Sequence, residues 1–209
     1  MKIGIIGATG KAGSLIASEA VERGYRVTAI VRHPDKLKLK VPVVEKDLFA
    51  LRTADLTDFD VIVDAFNAPA GQEEQQQTSL QHLVELLHGT KVRLLVVGGA
   101  GSLFVDDAQT TRLYETPDFK AEWKPTAVNM GKALLKLQQV TDVQWSYLSP
   151  SAIFLPNGPR TDHYTLGQDN LLTNAAGKSE VSYADFAAAL VDEIAKPQHV
   201  QQRFTVVSQ

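Results

Sequence analysis

Apolar positions recur along the chain in two alternating rhythms. Short unbroken runs begin at Lys2 and recur at residues 25–31, 41–44, 61–65, 92–97, 144–148 and 203–207. Between them lie longer stretches in which apolar residues return every three or four positions, the period of one face of a helix. The first such stretch places Ala12, Leu15, Ile16 and Ala20 on one side, leaves Glu22 and Arg23 outside and stops at Gly24. Residues 74–88 align Leu80, Leu83, Val84 and Leu87, with Gly89 closing the helix. Residues 125–139 align Met130, Leu134 and Leu137 behind Pro125 in the first turn. Ser182 to Asp185 reads as a capping box before Phe186, Ala189, Leu190 and Ile194. Strands alternating with helices predict a single α/β domain over residues 1–209, built on a doubly wound parallel sheet of roughly six strands with helices on both faces.

Two segments, 98–124 and 149–181, follow neither rhythm. Stretches of that length without periodicity are usually functional loops. Each follows a strand of the inferred sheet and so leaves from its carboxyl edge, where open α/β sheets bind ligands. They are expected to build a substrate pocket.

Composition narrows the field without choosing within it. A hydrophobic content of 44% and a charged content of 22% are ordinary for a globular domain. The net charge of −3 offers no general attraction to nucleic acid or to an anionic membrane. Cysteine is absent, which excludes disulfides and thiol chemistry. No apolar run approaches the roughly 20 residues that span a bilayer. With a strand starting at Lys2, no signal peptide is expected and the cytoplasm is the default compartment. The five histidines have no metal-ligand spacing, so no metal site is expected.

The chemistry starts at Gly7-Ala8-Thr9-Gly10-Lys11-Ala12-Gly13, between the first strand and the first helix. Glycines there allow a sharp turn and let a pyrophosphate approach the main chain, while the helix aims its free N–H groups at the phosphates. This predicts a dinucleotide site in a Rossmann fold, with the Thr9 hydroxyl and the Lys11 charge beside the phosphates and the backbone of Ala12 opening the helix. The spacing is G-x-x-G-x-x-G rather than G-x-G-x-x-G.

Strand two ends Ala29-Ile30-Val31-Arg32, with no carboxylate before Asp35. An acid at this point would favour NAD, whereas an arginine favours the 2′-phosphate of NADP. NADP(H) is therefore the expected cofactor, ahead of NAD(H). Asp47 and Leu48 are expected on the adenine side, Asn67 and Ala68 under the adenosine and pyrophosphate, and Gly98, Gly99 and Ala100 near the nicotinamide. None of the five tyrosines has a lysine four residues later, so the proton relay of typical short-chain reductases is missing. A positioned acid contributes 10²–10⁴-fold to carbonyl reduction. Flavin reduction depends less on one, because solvent can protonate the reduced ring. No catalytic residue is assigned.

The glycine motif, Arg32-His33-Pro34 with Lys36-Leu37, Trp145-Ser146-Tyr147-Leu148-Ser149-Pro150, Tyr164-Thr165-Leu166-Gly167, Ser182-Tyr183-Ala184-Asp185-Phe186-Ala187 and Arg203-Phe204-Thr205-Val206 together resemble atypical short-chain dehydrogenase/reductases. Over nearly the whole chain the pattern is most similar to the NADH-flavin reductase group, related to biliverdin reductase B-type flavin reductases and NmrA-like proteins. The resemblance implies hydride transfer from a nicotinamide to FMN, FAD or a similar small flat acceptor. It also implies that the segment from Pro150 covers the nicotinamide, with Ser151, Ala152 and Phe154 near the ring. His163 and Tyr164 would line the pocket, and Phe104 would stack on the acceptor. The group name says NADH, while Arg32 argues for NADPH. Two other functions fit the same residues: a non-catalytic NADP-binding redox sensor of the NmrA-like kind, and a sugar-nucleotide or carbonyl enzyme with an unrecognised acid. The oligomeric state is not legible.

Overall fold

A continuous apolar run makes β1 (Lys2–Ile6) the centre of the sheet, because a strand buried on both faces tolerates no polar side. In the computed structural model, which describes residues 1–209, it pairs in parallel with β2 (Arg26–Val31) on one side and β4 (Val61–Asp64) on the other. Beyond β2 lies β3 (Val43–Glu45); beyond β4 follow β5 (Arg93–Val97) and β6 (Trp145–Ser149). β10 (Gln202–Ser208) pairs in parallel with β6, and β8 (Tyr164–Gly167) closes the far edge antiparallel to β10. The order is β3-β2-β1-β4-β5-β6-β10-β8. It reverses direction between β1 and β4, where such sheets open a crevice at their carboxyl edge.

Helices cover both faces. On one, α1 (Lys11–Glu22) and α5 (Tyr183–Ala195) close a core cluster of 22 buried residues. On the other, α3 (Gln75–Leu87) and α4 (Lys124–Leu137) close one of 18, and α2 (Thr53–Leu56) is a single turn. None of these helices is long and apolar enough to cross a membrane.

Four expectations need correction. The sheet has eight strands rather than six or so, and its edge strand β8 is antiparallel. Segment 149–181 holds β8 together with β7 (Ile153–Leu155) and β9 (Glu180–Ser182), a small parallel pair. Strands of three or four residues are too short to show a period. Segments 98–124 and 149–181 also bind each other: Phe104 N donates to Asp169 O at 2.9 Å, and Leu171 N to Phe104 O at 2.8 Å. Arg203, buried on β10, ties them together through Asp169 and the Ser102 hydroxyl. Finally, only half of the capping box forms. Ser182 Oγ accepts from Asp185 N at 2.9 Å, but the Asp185 carboxylate accepts from Thr161 N and the Ser208 hydroxyl instead of the Ser182 backbone.

Candidate functional site

At the end of β1 the chain turns through Gly7, whose φ of +76° lies in the left-handed region. A Cβ there would stand 2.6 Å from the Ala65 carbonyl oxygen, so angle and space both require glycine. Gly10 N donates to Gly7 O at 2.9 Å and closes the turn. A side chain on Gly13 would collide with that same Gly7 carbonyl, so its bareness lets α1 lie close over the strand ends. Gly10 has no such constraint. It is the extended N-cap of α1, and a Cβ on it would meet one atom at 3.2 Å. No side chain caps α1 and no acid stands in its first turn, which leaves the positive end of the helix open to an anion.

A cleft of about 280 Å³ opens beside this turn and brings together Gly7, Thr9, Gly10, Arg32, Asp47, Leu48 and Asn67. One end is rich in basic side chains, with Arg32, His33, Lys36 and Lys46 on its walls. Arg32 is 59% exposed, with Nη1 3.6 Å from Asp47 Oδ2. Asp47 is itself fixed, because its other oxygen accepts from Phe49 N at 2.8 Å and caps the turn that follows. Lys46 is held by Asp55 at 2.6 Å. Of these basic side chains only Arg32 was expected at the cofactor; His33 and Lys36 entered only as part of the family pattern, and Lys46, directly after a short strand, gives little signal. A second depression, about 230 Å³, lies on the outer surface between α3 and α4, away from the strand ends.

The remaining candidates fall into two groups. Lys11, Ala12, Gly13 and Ala68 flank the cleft without lining it. Gly98, Gly99 and Ala100 leave the end of β5, and Pro150, Ser151 and Ala152 leave the end of β6, at the same sheet edge. Within the second group Ser151 has a structural partner: its hydroxyl donates to Val206 O at 2.7 Å. The neighbouring Ser149 hydroxyl is buried without one.

The four proposed acceptor contacts are occupied differently from expectation. Phe154 packs its ring 3.8 Å from that of Tyr183 and 4.9 Å from that of Phe186, anchoring β7 to the start of α5. Tyr164 donates its hydroxyl to Asp192 on α5, and its ring packs against the α1–α5 core. His163 is exposed just before β8, on a short strap, residues 160–164, that Arg160 fastens to Glu19 of α1. Phe104 carries the Arg112 guanidinium 4.6 Å above its ring, so one face is already covered. The family resemblance marked these positions, but nothing in the sequence shows that the strap packs on the helices.

Sequence reasoning also missed Asp64, at the end of β4. It is 5% exposed, and the only hydrogen bond to its carboxylate is from Phe66 N at 3.0 Å. Burial pushes its carboxyl up to about 6. Burial likewise pushes the Tyr147 phenol on β6 up to about 12; Gly99 N donates to its hydroxyl at 3.4 Å. An acid closing an otherwise apolar strand was the available signal.

A glycine turn, an open helix terminus and a cleft at the switch point of a parallel sheet define a nucleotide-binding protein of Rossmann type. The chain belongs to the NAD(P)H-binding family, whose model matches residues 7–197. It is 52% identical to the YwnB protein of Bacillus subtilis over 211 residues, covering all of this chain and 99% of that one. Among solved structures, a "putative NADH-flavin reductase" of Streptococcus pneumoniae superposes with a TM-score of 0.96 at 42% identity, covering 100% of both chains. A "putative epimerase" of Bacteroides thetaiotaomicron does so with a TM-score of 0.90 at 33% identity, over 99% of this chain and 96% of that one.

Proposed function

We propose that the protein oxidises NADPH and passes the hydride to a free flavin or a comparable flat acceptor, with no tyrosine–lysine relay. The observation that carries this reading is the cleft. It joins the Gly7–Gly10 turn, suited to a pyrophosphate, to a basic end at Arg32, Lys36 and Lys46, suited to a further phosphate on the adenosine. Bound there, the nicotinamide would supply the hydride, and solvent the proton for the reduced acceptor. The chain's own contribution is then to hold two flat rings in register and exclude water from between them.

The name of the Streptococcus relative supports a flavin acceptor; the name of the Bacteroides relative points to an epimerase. The tyrosine–lysine relay that serves carbonyl reduction in typical short-chain reductases is absent from this chain. Here Tyr147 is buried in the core and Tyr164 is bonded to Asp192. That favours flavin reduction over carbonyl chemistry.

The test is NADPH and NADH oxidation with saturating FMN, FAD and a quinone. Turnover with a flavin, faster with NADPH, is the expected result. Tight NADPH binding without turnover on any acceptor would replace this reading with the redox-sensor function.

A further inference from the structure

This inference rests on the cleft being the dinucleotide site. The floor of the cleft includes the turn after β4, and two buried side chains hold that turn from beneath. Asp64 Oδ1 accepts from Phe66 N at 3.0 Å, and Gln76 Nε2 on α3 donates to Asn67 Oδ1 at 2.7 Å. Phe66 and Asn67 both line the cleft. Ala65, between Asp64 and Phe66, lies directly against Gly7, so the two turns of the floor support each other. Asp64, Gln76, Ser79 and Tyr147 also border a cavity of about 10 Å³, room for about one water molecule.

An ionisable group is a costly choice for this position. Asparagine offers the same acceptor to Phe66 N without burying a charge. No cation offsets the carboxylate. Around the cavity that Asp64 borders, α3 presents the neutral Gln76 and Ser79, α4 and β5 only apolar side chains, and β6 the phenol of Tyr147. What the carboxylate adds is strength, since a charged acceptor holds an N–H about twice as firmly as a neutral one.

We infer that Asp64 is a positioning residue whose ionised carboxyl, together with Gln76, holds the β4 turn in the shape that receives the nucleotide, so that cofactor affinity falls when Asp64 is protonated. The affinity step then lies near pH 6, where burial places this carboxyl.

The test measures NADP⁺ dissociation constants for wild type and Asp64→Asn between pH 5 and 8. Their ratio cancels the titration of the ligand's own phosphate. At pH 8 the variant should bind about five- to tenfold more weakly, while melting at a higher temperature than wild type. At pH 5 the two should bind alike. A role in stability alone would not separate affinity from melting in this way. A ratio independent of pH, or equal affinity at pH 8, would overturn the inference while leaving the cleft reading intact. Absence of NADP⁺ binding by wild type at every pH would instead remove the cleft reading and this inference with it.

A second measurement needs no variant. Carboxyl ¹³C NMR should show the Asp64 midpoint falling by about 0.7–1 pH unit when wild type is saturated with NADP⁺, the reciprocal of the affinity ratio. An unmoved midpoint would overturn the inference.

Discussion

Arg32 is where a single residue has most to say about cofactor choice. Its guanidinium stands at the cleft wall, more than half exposed and tethered by Asp47 at 3.6 Å, a distance that orients it without neutralising it fully. Replacing it with alanine should weaken NADPH binding about tenfold and leave NADH nearly unchanged, at the low end of a charge-assisted hydrogen bond because the site is open to solvent. Fluorescence titration of both cofactors checks this, and equal affinity of wild type for the two would remove the argument for NADPH. Asp64 makes a prediction of opposite sign, on stability. Its folded pKa of about 6 lies above the ordinary carboxylate value, so the folded chain holds a proton that the unfolded chain has released between about pH 4 and 6. Stability contributed by this group therefore falls as pH rises through that window and is constant above it. Asp64→Asn removes the loss. It should be more stable than wild type at pH 8, by up to roughly 3 kcal/mol at about 1.4 kcal/mol per pH unit. The difference should shrink to nothing near pH 4 in urea melts.

At the scale of elements, the glycine turn separates into parts with different duties. Gly7 and Gly13 are fixed by close backbone approach, whereas Gly10 has room for a methyl group with only one tight contact. Gly13→Ala should therefore push α1 off the strand ends and cost roughly 1–3 kcal/mol, as overpacking does. Gly10→Ala should change stability much less while weakening NADP⁺ binding, because its methyl group would intrude where a phosphate approaches. Thermal melts with cofactor titrations on both variants decide it; equal destabilisation would mean the division is wrong. This turn was readable from sequence because the backbone itself demands its residues. The long strands and helices were readable for a related reason, since each carries enough residues to display a period. The strap from Arg160 to Tyr164 was not. Its anchors, Glu19 and Asp192, lie 141 and 28 residues away, and no local pattern announces a pairing at that distance. Phe154, His163 and Tyr164 were placed at the pocket by the family resemblance alone, and a shared sequence pattern does not say what a strap will pack against.

The molecule as a whole sets the chemistry it can support, and here the arrangement argues against a dedicated proton donor. The Tyr147 hydroxyl is buried and reached by Gly99 N, and burial raises the pKa of both Tyr147 and Tyr164. Tyr164 is bonded to Asp192, Tyr183 packs on Phe154, and Tyr114 lies between Gly101 and Gly131. If flavin reduction proceeds by ring stacking and solvent protonation, no single Tyr, His or Lys substitution should abolish NADPH-dependent FMN reduction. Tyr164→Phe should lower stability by about 0.5–1.5 kcal/mol, the worth of one hydrogen bond, with kcat/KM nearly unchanged. His163→Ala, on an exposed strap, should be close to neutral in both. With cofactor saturating, kcat for FMN should show no steep step near neutrality. Any step near pH 6 should appear in NADPH affinity and vanish in Asp64→Asn. Steady-state profiles from pH 5 to 8.5 on these variants carry the test. A thousandfold loss of kcat in one variant that still binds NADPH and FMN would reveal a proton donor. It would also move the protein toward the carbonyl chemistry of reductases with a tyrosine–lysine relay.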